Sequence, residues 1–218
     1  MKQPGGIVFA LIGICLFLTD IIARAEGNAQ PYEPREGDIA FQSLPHNPLV
    51  DAIEGVTSSS FSHCGIVHWD GPNWVVIEAI GPVKETPLRA WILQGRASLY
   101  CVYRLKPTYN AIIRDFVKIA QSYEGLPYDI HYDLKNEGAF YCSGLIYKAF
   151  QKATKEDLGK LQKLGDLNWK PYTGIIKQIE SGNLPLEREI ITPRGISEAP
   201  QLDRVYATGI YGSPFQKR

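Results

Sequence analysis

From Cys142 onward, apolar or small residues fall at 142, 145, 146, 149 and 150. That is the spacing of a helix with one face turned inward. Ile112, Phe116, Ile119, Ala120 and Tyr123 repeat the pattern over residues 109–123, and Gly125 ends it. Strand-like runs stand elsewhere. Residues 39–42 follow a Gly37-Asp38 turn, 63–69 and 74–79 flank Asp70-Gly71-Pro72-Asn73 as a hairpin, and 99–105 and 202–207 complete the set. Weaker signals predict a helical turn around Leu49 to Ile53 and a short helix opened by Pro87 with Thr86 as its cap. They also predict helical pieces at 158–164 and 174–179, and a turn capped by Thr192-Pro193. Strands and helices are segregated rather than alternating, which predicts an α+β fold with a mostly antiparallel sheet.

The hairpin carries chemistry. A two- or four-residue loop at 70–73 makes 67 face 76 and 65 face 78, with His63 opposite Ile80. Side chains alternate, so His63, Gly65 and Val67 share a face with Val76, Glu78 and Ile80. Glu78 is then the diagonal neighbour of His63, about 7 Å away between backbones and within side-chain reach. Gly65, directly opposite Glu78, leaves room for the carboxylate to lean. An acidic residue in a strand centre is uncommon unless it has a partner.

Cys142 stands at the start of its predicted helix, where unbonded N–H groups and the helix dipole stabilise a thiolate. Cys142, His63 and Glu78 thus make a nucleophile, a base and an orienting acid. The other histidines fit less well. His68 points to the opposite face of its strand, and His46 lies in a polar loop. His131 stands between Asp129 and Asp133, but no cysteine or second histidine lies at ligand spacing, so a loop or substrate-rim place is expected and no metal or cofactor. Cys64 adjoins His63 but faces away from it.

The amino terminus reads differently. Lys2, an apolar run from Ile7 to Leu18 and Ala23-Arg24-Ala25 form a secretory signal peptide over 1–25, too short to anchor the chain. A single domain of 26–218, secreted or periplasmic, would follow. Cleavage takes Lys2, Arg24 and Asp20 from 23 basic and 23 acidic residues, leaving a net charge near −1. A nucleic-acid partner wants a clustered basic face, and none is visible. Cys64, Cys101 and Cys142 remain, either all free or with Cys64 bonded to Cys101.

Four motifs occur in order: Ser62-His63-Cys64-Gly65-Ile66-Val67, Ile77-Glu78-Ala79-Ile80-Gly81-Pro82-Val83, Gly125-Leu126-Pro127-Tyr128-Asp129 and Tyr141-Cys142-Ser143-Gly144-Leu145. With Gly37-Asp38-Ile39, Thr192-Pro193 and Ala199-Pro200-Gln201-Leu202, they resemble the YiiX/YaeF-like permuted papain-like (NlpC/P60) cysteine amidases over nearly the whole mature chain. The resemblance implies a circularly permuted papain-like fold, with Cys142 as nucleophile, His63 as base and Glu78 as third residue. Gly144 stands where some relatives carry an acidic residue.

The expected activity is hydrolysis of an amide bond in a cell-wall peptide or an N-acyl amino-acid amide. Tyr141, Ser143, Tyr128 and Asp129 are candidates for the substrate cleft. Two other readings share these residues: a lipid acyl hydrolase, acyltransferase or thioesterase, and a non-catalytic envelope-binding domain.

Overall fold

The computed structural model describes residues 31–212. The expected signal peptide lies outside the described residues. Six strands form one antiparallel sheet: β1 (Ile39–Gln42), β2 (His63–Trp69), β3 (Trp74–Ala79), β4 (Val83–Pro87), β5 (Tyr100–Leu105) and β8 (Leu202–Ala207), in the order β4-β3-β2-β1-β5-β8. A two-stranded ribbon, β6 (Gln162–Lys163) with β7 (Glu189–Ile190), stands apart from it. The helices are α1 (Pro48–Thr57), α2 (Leu88–Gln94), α3 (Ile113–Gln121), α4 (Cys142–Thr154), α5 (Thr173–Ile179) and α6 (Pro193–Ser197). The fold is α+β with an antiparallel sheet, as the segregation of strands and helices along the sequence predicts.

The sheet has two distinct faces. Ile39, Phe41, Cys64, Ile66, Ile77 and Ala79 join the main core with α3 and α4. The opposite face carries His63, Val67, Val76 and Glu78, and α2 packs over β3 and β4 there. Asp38, fully buried, accepts two hydrogen bonds from Arg104 (2.6 and 2.8 Å), which ties the entrance of β1 to β5.

α4 departs from the simple amphipathic reading: its first nine residues, Cys142 to Phe150, are all buried. The sheet, α3 and α6 cover it from different sides, so it is the central helix of the fold. Even Lys148 is enclosed, its ammonium held by the Asn136 carbonyl and set 4.9 Å above the Phe140 ring.

Three weaker expectations are corrected. Thr86 is no helix cap but part of the edge strand β4, and α2 starts after Pro87 without a side-chain cap. The sequence hides β4 because an edge strand with Lys84, Glu85 and Pro87 lacks alternation. Leu158 to Leu164 is not helical: Gly159 takes φ +83°, and β6 follows with a 3₁₀ turn after it. The turn expected around Leu49 is a full helix, capped by the Asn47 side chain on Leu49 and Val50 N–H (3.0 and 2.9 Å).

Candidate active site

The register predicted for the hairpin is the one observed, with Val67 paired to Val76 and Ile66 to Ile77. Glu78 therefore reaches His63 on the diagonal, Oε2 lying 2.5 Å from Nε2. Both side chains are buried, Glu78 fully. The carboxylate has two further donors, Thr86 Oγ1 at 2.6 Å and Gln94 Nε2 at 3.0 Å. Trp91 of α2, also fully buried, packs beside the imidazole with ring centroids 6.0 Å apart.

With Nε2 held by Glu78, Nδ1 is the nitrogen left for the sulfur of Cys142, and the two groups are near enough for each to shift the other's pKa. Cys142 opens α4, and its Sγ lies 4.0 Å from the Ser62 carbonyl. His63 and Cys142 come from opposite faces of the sheet. They meet at its end, because His63 is the first residue of β2 and Cys142 the first of α4.

Electrostatics follow from these contacts. The Cys142 thiol is held well below the usual thiol range. The hydrogen bond from Cys64 lowers it most; burial opposes, and the imidazole and the Ser143 N–H lower it further. Burial alone would lower the pKa of His63, but the bonds and charges of Cys142 and Glu78 outweigh it and raise it to about 9. Burial likewise raises the Glu78 carboxyl, and His63, Thr86 and Gln94 together bring it below its ordinary value. A thiolate–imidazolium pair resting on a carboxylate results.

Two cavities flank the pair. One, about 770 Å³ of empty space partly open to solvent, lies between α1 and α5 and has Cys142 in its wall. Its lining is predominantly aliphatic, with Ile53, Val56, Ile175, Ile176, Ile179 and Ile191. Its charged groups are linked: Arg188 donates to Glu180 (2.5 and 3.0 Å) and to the His131 carbonyl (2.5 Å). The other is a broader groove of about 1380 Å³, again partly open, that reaches His63, Gln94, Asn47 and Tyr128.

The remaining sequence candidates separate. Tyr128 lines the groove and its hydroxyl lies 3.2 Å from that of Tyr132, which lines the aliphatic cavity. Ser143 Oγ donates to the Ile191 carbonyl (2.9 Å), so its side chain is occupied and its backbone N–H faces the sulfur. Tyr141 and Asp129 line neither cavity. The Tyr141 hydroxyl accepts from Ile191 N–H (3.2 Å), and the Asp129 carboxylate accepts from His131 and Asp133 N–H (3.0 and 2.9 Å), ordering the loop. Gly144 is required by packing, since a Cβ there would lie 2.7 Å from the Tyr141 ring. His46 and His68 bind Asp51 and Glu36 away from the site.

Sequence reasoning misses Thr86, Gln94 and Trp91, which support the His63–Glu78 pair, and the contact of Cys64 with Cys142. Parity does place Cys64 opposite to His63. Spacing cannot say that α4 covers that opposite face.

Residues 33–206 match the sequence model of the family described as "Permuted papain-like amidase enzyme, YaeF/YiiX, C92 family". The chain belongs to this family. Membership makes it a papain-like cysteine hydrolase. It is similar to the Escherichia coli protein YiiX, at 33% identity over 179 residues, covering 80% of this chain and 87% of that one. A crystal structure of YiiX from Escherichia coli O157:H7, described as a metalloprotein, superposes with a TM-score of 0.76 at 32% identity. The match covers 81% of this chain and 99% of the solved one.

Proposed function

We propose that this permuted papain-like hydrolase cleaves N-acyl amides whose acyl part is apolar, using Cys142, His63 and Glu78. The carrying observation is a single one: the sulfur beside an acid-held imidazole also forms the wall of the aliphatic cavity. The acyl group then lies in the cavity, and the leaving amine lies in the groove that His63 faces.

The Cys142 thiolate attacks the carbonyl carbon. The tetrahedral oxyanion is met by first-turn N–H groups of α4, whose N-cap Tyr141 supplies no side-chain acceptor to occupy them. The His63 imidazolium protonates the departing amine, leaving a thioester on Cys142. A water entering by the groove gives its proton to His63, attacks the thioester and releases the acid. Glu78 holds the imidazole in the tautomer that presents Nδ1 to the sulfur and stabilises its cationic form. Murein peptides, rich in charged groups, suit the aliphatic cavity poorly; long acyl chains suit it well.

The solved YiiX is described as a metalloprotein, but the donor set of the described residues does not fit a metal. Among the described residues no group of three or more His, Cys, Asp and Glu is arranged to hold an ion, so no step is routed through one. Export is part of the proposal, supported by Lys2, the apolar run and Ala23-Arg24-Ala25. N-terminal sequencing of the mature protein should begin at Glu26.

The test is hydrolysis of N-acyl amino-acid amides of increasing chain length, beside murein peptides and phospholipid, with Cys142→Ala as control. Amine release that grows with chain length, together with an acyl adduct on Cys142, supports the reading. Cleavage of murein peptides alone overturns it. Fatty-acid release from phospholipid without amide cleavage assigns the site to lipid esters instead.

A further inference from the structure

β2 sorts its side chains by parity. His63 leaves the strand on the α2 side, while Cys64 and Ile66 leave on the side that α4 covers. Cys64 is fully buried, and beyond helping to hold the Cys142 sulfur as a thiolate it forms and breaks no bond in the hydrolysis. The Cys142 sulfur lies 4.0 Å from the carbonyl of Ser62, two residues before Cys64, and the two cysteines, buried in one cluster, are near enough for each to shift the other's pKa. Cys101 is too far from Cys64 to compete. Phe41 of β1 pairs with Cys64 on one side and Cys101 on the other. Two strand spacings, about 9.6 Å, then separate the Cys64 and Cys101 backbones. A disulfide spans no more than about 7 Å between Cα atoms. All three cysteines are free in the structure. Cys142, at the start of the helix packed on β2 over the face that Cys64 shares, is the thiol left for Cys64 to pair with.

We propose that Cys64 is a resolving cysteine, which turns oxidation of the Cys142 sulfur by peroxide into a reversible disulfide that silences the enzyme. The inference rests on the reading of Cys142 as the reactive thiolate. Hydrogen peroxide reaches that sulfur through the cavity whose wall it forms. The thiolate attacks one peroxide oxygen, the O–O bond breaks, hydroxide leaves, and Cys142 becomes a sulfenic acid. The Cys64 sulfur then attacks the Cys142 sulfur. The S–O bond breaks, the Cys64 proton joins the departing hydroxyl as water, and the S–S bond forms. The two thiols have together given two electrons to the peroxide, and a dithiol reductant returns them.

The geometry also sets the order of events. Burial, first, and then the bond and charge of the neighbouring thiolate hold Cys64 as a neutral thiol in the resting site. Once Cys142 is a neutral sulfenic acid that charge is gone, and the Cys64 proton is easier to lose. Without Cys64 the sulfenic acid has no thiol beside it and proceeds to the sulfinic state, which dithiols do not reverse.

The experiment treats the purified protein with hydrogen peroxide, blocks remaining thiols, maps the peptides by mass and follows activity before and after dithiothreitol. The expected map links the peptides of Cys64 and Cys142, with a mass loss of two hydrogens and full recovery of activity on reduction. In Cys64→Ala, activity should be lost for good and Cys142 should gain two oxygens; in Cys101→Ala the wild-type behaviour should persist. The wild-type map decides the matter even if Cys64→Ala folds poorly. Sulfinic Cys142 with no link to Cys64, or a link from Cys142 to Cys101, overturns this inference and leaves the hydrolase reading intact. A Cys142 that peroxide does not modify overturns both.

Discussion

Glu78 lies across the β2–β3 ribbon from Gly65 and reaches past it to His63, its Oε2 2.5 Å from Nε2. The glycine is what leaves the path open. A Cβ at position 65 would fall 2.4 Å from Val76 Cγ1, 2.9 Å from the Ile77 carbonyl oxygen and 3.4 Å from Glu78 Cβ. Gly65→Ala should therefore destabilise the fold by about 1–3 kcal/mol, the usual cost of overpacking. It should also reduce kcat, as urea melts and assays of the same protein will show.

Removing the charge on Glu78 should matter more than removing its volume. Glu78→Gln keeps a hydrogen-bonding group beside Nε2 but takes away the anion that supports the imidazolium. We expect kcat/KM to fall by roughly 10²–10⁴-fold, the range typical of general acid–base assistance. The alkaline limb of the pH–rate profile should move down from its wild-type position. An unchanged profile would show that the carboxylate does not act through His63.

The wild-type profile itself is predictable in sign. The Cys142 thiol sits well below the ordinary range and the His63 pKa is raised to about 9. The ion pair should persist across neutrality, and activity should fall as pH rises through about 9, when His63 can no longer protonate the amine. Stability follows the same group. The unfolded His pKa is about 6.5, so the stabilisation is complete below that pH and lost as pH climbs towards the folded value. Thermal melts on either side of that window check it. Glu78 works in the opposite sense: its folded pKa is lowered, so its contribution is present above the unfolded value and disappears in acid.

Thr86→Val removes the hydroxyl that donates to Glu78 Oε1 at 2.6 Å. Losing one partner of a buried carboxylate costs about 1–3 kcal/mol. The expected phenotype is a less stable protein with a smaller loss of kcat than Glu78→Gln, measured by melts and assays side by side.

The aliphatic cavity offers a test confined to substrate choice. Ile176 lines it and is part of neither the sulfur–imidazole pair nor its support. Ile176→Trp should fill the space, raise KM for long acyl chains and leave short ones nearly unaffected. Equal loss for every chain length would mean that the acyl group lies elsewhere.

Much of this site can be read from spacing. Period-two alternation and a four-residue loop fix which of His63, Cys64, Glu78 and Ala79 share a face, because hairpin pairing is a local property of the chain. Helical periodicity likewise locates the start of α4. What spacing cannot give is the layer that covers each face. Parity turns Cys64 away from His63, yet its contact with Cys142 depends on α4 packing there, from nearly eighty positions along the chain. Thr86 is hidden for a related reason: Thr-Pro is an adequate helix opening, and only the pairing of β4 with β3 shows its hydroxyl bound to Glu78. The Leu158, Leu161, Leu164 spacing also imitates a helix, and the positive φ of Gly159 breaks it.

The separation of the two halves along the chain bears on how the protein matures. His63 and Glu78 are joined within one hairpin, a unit that assembles early because closing it costs little loop entropy. Cys142 arrives only when its helix docks, a contact spanning a long stretch of sequence. A nascent or half-folded chain thus carries an ordinary, sluggish thiol, and the molecule arms itself as the last long-range contact closes. Onset of alkylation at Cys142 during refolding is accordingly a clock for completion of the fold.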